Sequence, residues 1–82
     1  MKIHLLYFAA VRDLAGLDGE AVALPEGVAT VGDLAAFLER HRPALAGRLR
    51  SVRFARNEAF AERDDVLVDG DVVAVIPPVA GG

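Results

Sequence analysis

The chain of 82 residues contains no cysteine. Disulfides, thiolate metal sites and a cysteine nucleophile are thereby excluded, and any sulfur that the protein handles cannot be held on a thiol side chain. Lysine occurs once, at Lys2. There is no basic excess: the formal net charge is −3 and the isoelectric point is about 5.2, which does not suit a nucleic-acid binder. No apolar run approaches the ~20 residues that span a bilayer. The opening MKIHLLYFAAVRD is too short and strand-like for a signal peptide, so a cytoplasmic protein with no membrane partner is expected. Neither GxGxxG nor GxxxxGK followed by Ser or Thr occurs, so no phosphate-cradling loop is predicted.

What is present argues for one globular domain. The hydrophobic fraction is 54% and the charged fraction 26%, too apolar for a disordered chain. KIHLLYF reads as a first strand over 2–8, with Ile3, Leu5 and Tyr7 on one face and His4, Leu6 and Phe8 on the other. AAVRDLAG reads as a short helical turn closed by Gly16. EAVALP reads as a second strand, ended by Pro25 and Gly27.

TVGDLAAFLERH is the clearest helix. Thr30 can cap it with Asp33 as a short capping-box acid, and Val31, Leu34, Ala35 and Leu38 form a buried stripe. Pro43 stops that helix or opens a short successor. SVRFARN and EAFAE read as a strand and its return. VLVDGDVVAVI reads as two extended pieces around Asp69-Gly70, the last over about 72–76, stopped by Pro77. This order suits an α+β fold, a mixed sheet packed by one main helix. It matches the β-grasp, or ubiquitin-like, arrangement; ferredoxin-like sheets are a rival but normally need two comparable helices. The expected division is a domain over 1–76 and a tail over 77–82.

No side-chain active site emerges. His4 and His41 lack a nucleophile partner and read as surface residues, His41 as a helix-end dipole partner. Asp64, Asp65, Asp69 and Asp71 lack the ligand alternation of a calcium loop, so a turn followed by a solvated edge is expected and no metal site. Six arginines fall between Arg40 and Arg56. A solvated face is expected of them, with a patch docking an acidic partner as the alternative.

Two features do point outward. A sheet covered on one side should be polar on the other, yet Leu6, Phe8, Phe60 and Ile76 all fall on the expected open side. Such a patch marks a partner site. The second feature is the ending VAVIPPVAGG. Pro77 and Pro78 favour a stiff, extended exit, Val79 and Ala80 add a small apolar grip, and Gly81 and Gly82 let the backbone enter a narrow channel. The carboxylate of Gly82 is then the reactive group, made electrophilic by adenylation and able to become a thiocarboxylate.

The YFAAVRDLAG and GDVVAVIPPVAGG motifs, with the helix between them, resemble the small, sulfur-carrying subunits of molybdopterin synthase, and the likeness spans the whole chain. The resemblance implies that an E1-like enzyme adenylates Gly82 with ATP. A sulfurtransferase system then forms the thiocarboxylate, and the tail donates sulfur to cyclic pyranopterin monophosphate inside the synthase large subunit. It implies a heterotetramer of two small and two large subunits, no cofactor bound to this chain, and catalytic side chains on the large subunit. It also assigns partner contacts to Phe8, Phe60 and Ile76, where Ile76 replaces a frequent aromatic, and a polar contact or a structural salt bridge to Arg12. Thiamine-pathway sulfur carriers share the fold and the Gly-Gly end but lack the helical insert and the double proline. Ubiquitin-like protein modifiers and a plain binding module are the other readings.

Overall fold

Alternation in the first strand organises the molecule. In β1 (Lys2–Tyr7) Ile3, Leu5 and Tyr7 are buried, while His4 and Leu6 are exposed. The structure, a computed structural model, describes residues 1–78. Its further elements are α1 (Ala9–Ala15), β2 (Gly19–Ala23), α2 (Val31–His41), a 3₁₀ turn (Pro43–Leu45), β3 (Arg53–Arg56), β4 (Ala59–Ala61) and β5 (Val72–Ile76). The strands form one mixed sheet in the order β2-β1-β5-β3-β4. β1 runs parallel to β5, and every other pairing is antiparallel.

One face of the sheet carries the core. Ile3, Leu5, Val73, Val75 and Phe54 pack with Val31, Leu34 and Leu38 of α2, and with Leu45 and Leu49 of the segment after it. The α2 stripe has the expected spacing, and its cap has the expected chemistry. Thr30 Oγ1 accepts from the Asp33 amide at 3.1 Å, and the Asp33 carboxylate accepts from the amides of Thr30 and Ala29 at 3.1 and 3.0 Å. Those two amides hold the Asp33 carboxyl below its usual range.

Several boundaries depart from the sequence reading. β1 stops at Tyr7, because Phe8 turns to become the N-cap of α1. The insert is a complete two-turn helix, closed by Gly16 at φ +80° with its N–H on the Arg12 carbonyl. β2 covers 19–23, not 20–25, since its ladder ends where Ala23 pairs with Lys2. Of the two extended pieces expected around Asp69-Gly70, only β5 is a strand. Val66 makes a single bridge to Thr30, because its segment crosses to the start of α2 and leaves the sheet.

The acidic cluster also needs correction. Asp71 is buried, not on a solvated edge. It accepts from the Val68 amide at 2.8 Å, Asn57 Nδ2 at 2.9 Å and Arg56 Nη1 at 3.3 Å. Burial pushes this carboxyl up, but the three donors outweigh burial and the net shift is downward. Asp69 and Asp65 accept from the amides of Lys2 and Glu62. These carboxylates build turns.

A polar cluster ties the β1–β2 hairpin to the end of α2. Glu20 lies on the core side of β2 and receives Tyr7 Oη at 2.6 Å, Arg42 through Nε and Nη2 at 3.0 and 2.9 Å, and His41 Nε2 at 3.2 Å. The Arg42 fork is the main reason that Glu20 falls to about 2. Burial, then the Glu20 carboxylate, raise the Tyr7 hydroxyl. His41 also stacks on Phe37 with ring centroids 5.2 Å apart. Arg42 and Arg56 thus have structural partners, and the solvated arginine face shrinks to Arg40, Arg48, Arg50 and Arg53.

Candidate functional site

The open face of the sheet is built by register. Leu6 stands opposite Gly19 on one side and Ala74 on the other; Ala74 stands opposite Ala55, and Ala55 opposite Phe60. One line of Gly19, Leu6, Ala74, Ala55 and Phe60 therefore crosses all five strands on the face turned away from α2. Two alanines lie between the bulky Leu6 and Phe60, so the face is a trough between those two side chains.

A second, shorter line lies beside it. Ile76 is opposite Arg53, and Phe8, whose N–H reaches the Val75 carbonyl at 3.3 Å, flanks it on the β1 side. Leu6 is 41% exposed, Phe8 45% and Phe60 65%. The α1 helix therefore leaves them uncovered. Ile76 is half-buried. At the far end, Leu6, Asn57, Glu58 and Val72 line a shallow depression of about 360 Å³.

Local backbone aims these side chains. Phe8 adopts extended dihedrals, and the next residue, Ala9, has φ +49°, a left-handed conformation that L residues disfavour. This abrupt step from strand to helix turns the Phe8 ring outward. Phe60 is set by the β3–β4 hairpin. Its two-residue loop, Asn57-Glu58, has φ +51° and +72°, the pattern of a type I′ turn. Asn57 locks that loop to β5: its amide donates to the Val72 carbonyl, and its Oδ1 accepts the Val72 amide at 2.9 Å. Gly19 leaves room for Leu6. A Cβ there would collide with the Leu5 carbonyl oxygen and meet Leu6 Cδ2 at 3.3 Å.

Leu6, Phe8, Phe60 and Ile76 thus come together on one face, as the sequence suggested. Arg12 lies on α1; its Nε is 3.9 Å from Asp18, with side chains 52% and 92% exposed. So long and solvated a pair stabilises little, which leaves the guanidinium available. Pro77 is half-buried and Pro78 exposed at the end of β5. Val79, Ala80, Gly81 and Gly82 lie outside the described residues.

Sequence reasoning missed Ala55, Val72 and Arg53. Strand alternation gives their parity, but only the loop length at Asn57-Glu58 fixes which residues become neighbours. Among the described residues, no three His, Asp or Glu side chains gather to hold a metal ion. No helix there is long and apolar enough to cross a membrane.

The ThiS family model matches residues 5–82. The chain belongs to the ThiS family. The molybdopterin synthase sulfur carrier subunit of Chlamydomonas reinhardtii is 39% identical over the full length of both chains. That of Escherichia coli is 41% identical over 98% of this chain and 99% of its own. The crystal structure of SAMP1 from Haloferax volcanii, a small archaeal modifier protein, superposes with a TM-score of 0.85 at 30% identity, covering all of both chains. The β-grasp fold and the full-length likeness to sulfur carrier subunits are therefore as the sequence suggested.

Proposed function

We propose that this chain is the sulfur carrier of a molybdopterin synthase, with Gly82 as its reactive residue. The observation that carries this reading is the apolar trough at the root of the proline exit, in a chain similar along its whole length to named carrier subunits. The carboxylate of Gly82 attacks the α-phosphate of ATP on an E1-like enzyme, and pyrophosphate leaves. Sulfide, delivered by a sulfurtransferase system, then attacks the acyl carbon, AMP leaves, and a terminal thiocarboxylate remains. The open face docks on the synthase large subunit while the tail enters its active site. The thiocarboxylate sulfur attacks a side-chain carbon of the pyranopterin precursor and an oxygen substituent leaves that carbon; water then cleaves the acyl–sulfur bond, so that the sulfur stays on the pterin and the Gly82 carboxylate returns. No side chain of this chain acts in these steps; it supplies docking, reach and the carboxyl group.

Intact mass after incubation with the adenylating enzyme, ATP and a sulfur source tests the chemistry. The expected gain equals one oxygen replaced by one sulfur, mapped to Gly82, and removal of Gly82 abolishes it. Sustained molybdopterin formation by the truncated protein would overturn the reading. Likeness to SAMP1 favours a second reading as a protein modifier; its signature in the same assay is an isopeptide bond from Gly82 to a lysine of another protein.

A further inference from the structure

One charge sits inside the apolar face. The Arg53 guanidinium lies 4.4 Å over the Phe60 ring, and its strand position faces Ile76, the last residue before the prolines. It is exposed and joins no ion pair among the described residues. Of the other exposed arginines, Arg12 belongs to α1, Arg40 to α2 on the opposite side of the sheet, and Arg48 and Arg50 to the loop before β3, while Arg63 donates to the Leu49 carbonyl and lies over the core residue Phe54. Arg53 is therefore the cation that any body covering Phe60 and Ile76 must also cover.

Covering it has a physical requirement. A guanidinium taken out of water without an acceptor is strongly destabilising, and the ring face of Phe60 satisfies the quadrupole contact but accepts no strong hydrogen bond. The planar fork presents donors suited to a carboxylate. We infer that the protein docking on this face carries an aspartate or glutamate that pairs with Arg53 between Phe60 and Ile76, so that an ion pair fixes the tail root over its channel. This inference rests on the docking reading above and specifies the chemistry of the partner's surface.

The test uses the full chain and the synthase large subunit of the same organism, with dissociation constants measured by calorimetry from low to high sodium chloride. Arg53→Glu is expected to weaken binding at least ~30-fold, and Arg53→Gln to flatten the salt dependence. Replacing one partner aspartate or glutamate by lysine should restore binding of Arg53→Glu. Phe60→Ala serves as the independent probe. If Phe60→Ala weakens binding but Arg53→Glu stays within about twofold of the parent, the ion-pair inference falls and the docking face stands. If neither matters, the docking reading itself falls. If Arg53→Glu weakens binding but no partner substitution rescues it, the carboxylate assignment is wrong, and the cation meets a different anion.

Discussion

Glu58 shows how a single residue can oppose its own backbone. It holds φ +72° in the second position of a two-residue hairpin loop, where glycine adopts that conformation without strain. Glu58→Gly is therefore expected to stabilise the protein by ~0.5–1 kcal/mol, read as a higher urea midpoint at unchanged slope. Its neighbour behaves oppositely. Asn57 makes side-chain bonds to Asp71 and to the Val72 amide, so Asn57→Ala should cost ~1–3 kcal/mol in the same measurement. These residues were only partly legible in the sequence. Asn57 is visible as a turn residue, but its grip on β5 joins positions 15 apart in the chain. Asp71 misled for the same reason: in DGD it looks solvated, and two of its three donors, Arg56 and Asn57, lie 15 and 14 positions away.

At the scale of elements, periodicity carried the fold. Alternation in β1 and helical spacing in α2 each separate a buried face from an open one, so the sheet, the helix and the apolar outer positions could be read directly. Register could not, because it depends on loop length and on the strand order that inserts β5 between β1 and β3. Hence Leu6 and Phe60 were foreseen as exposed, but not the alanine floor between them or Arg53 beside it. Glu20 carried a legible signal, a carboxylate on the inward parity of β2, whereas its partners Arg42 and His41 come from the far end of α2. That tie between elements is pH-dependent. The Glu20 carboxyl falls from 4.5 to about 2 in the fold, so its stabilisation is complete above pH ~4.5 and is lost as pH drops toward 2. Asp33 and Asp71 shift in the same direction. Urea unfolding at a series of pH values should show Glu20→Gln losing about 2–3 kcal/mol less than the parent across that window; equal losses would mean that Glu20 is not the group responsible.

For the molecule as a whole, the position of β5 has a mechanical consequence. This strand leads into Pro77, and it is the middle strand of the sheet, bonded along β1 on one side and β3 on the other. Inter-strand hydrogen bonds run across the strand direction. A pull on the tail therefore loads both ladders in shear, and many bonds must yield together before β5 moves. A strand at the rim, such as β4, would peel away one bond at a time. On the function proposed above, a protein drawing the tail into a channel would load a strand held on both sides. Single-molecule extension should reveal this: pulling between Met1 and the tail is expected to need a higher rupture force than pulling between Phe60 on β4 and the tail. Equal forces along the two directions would show that the sheet centre gives the tail no special hold.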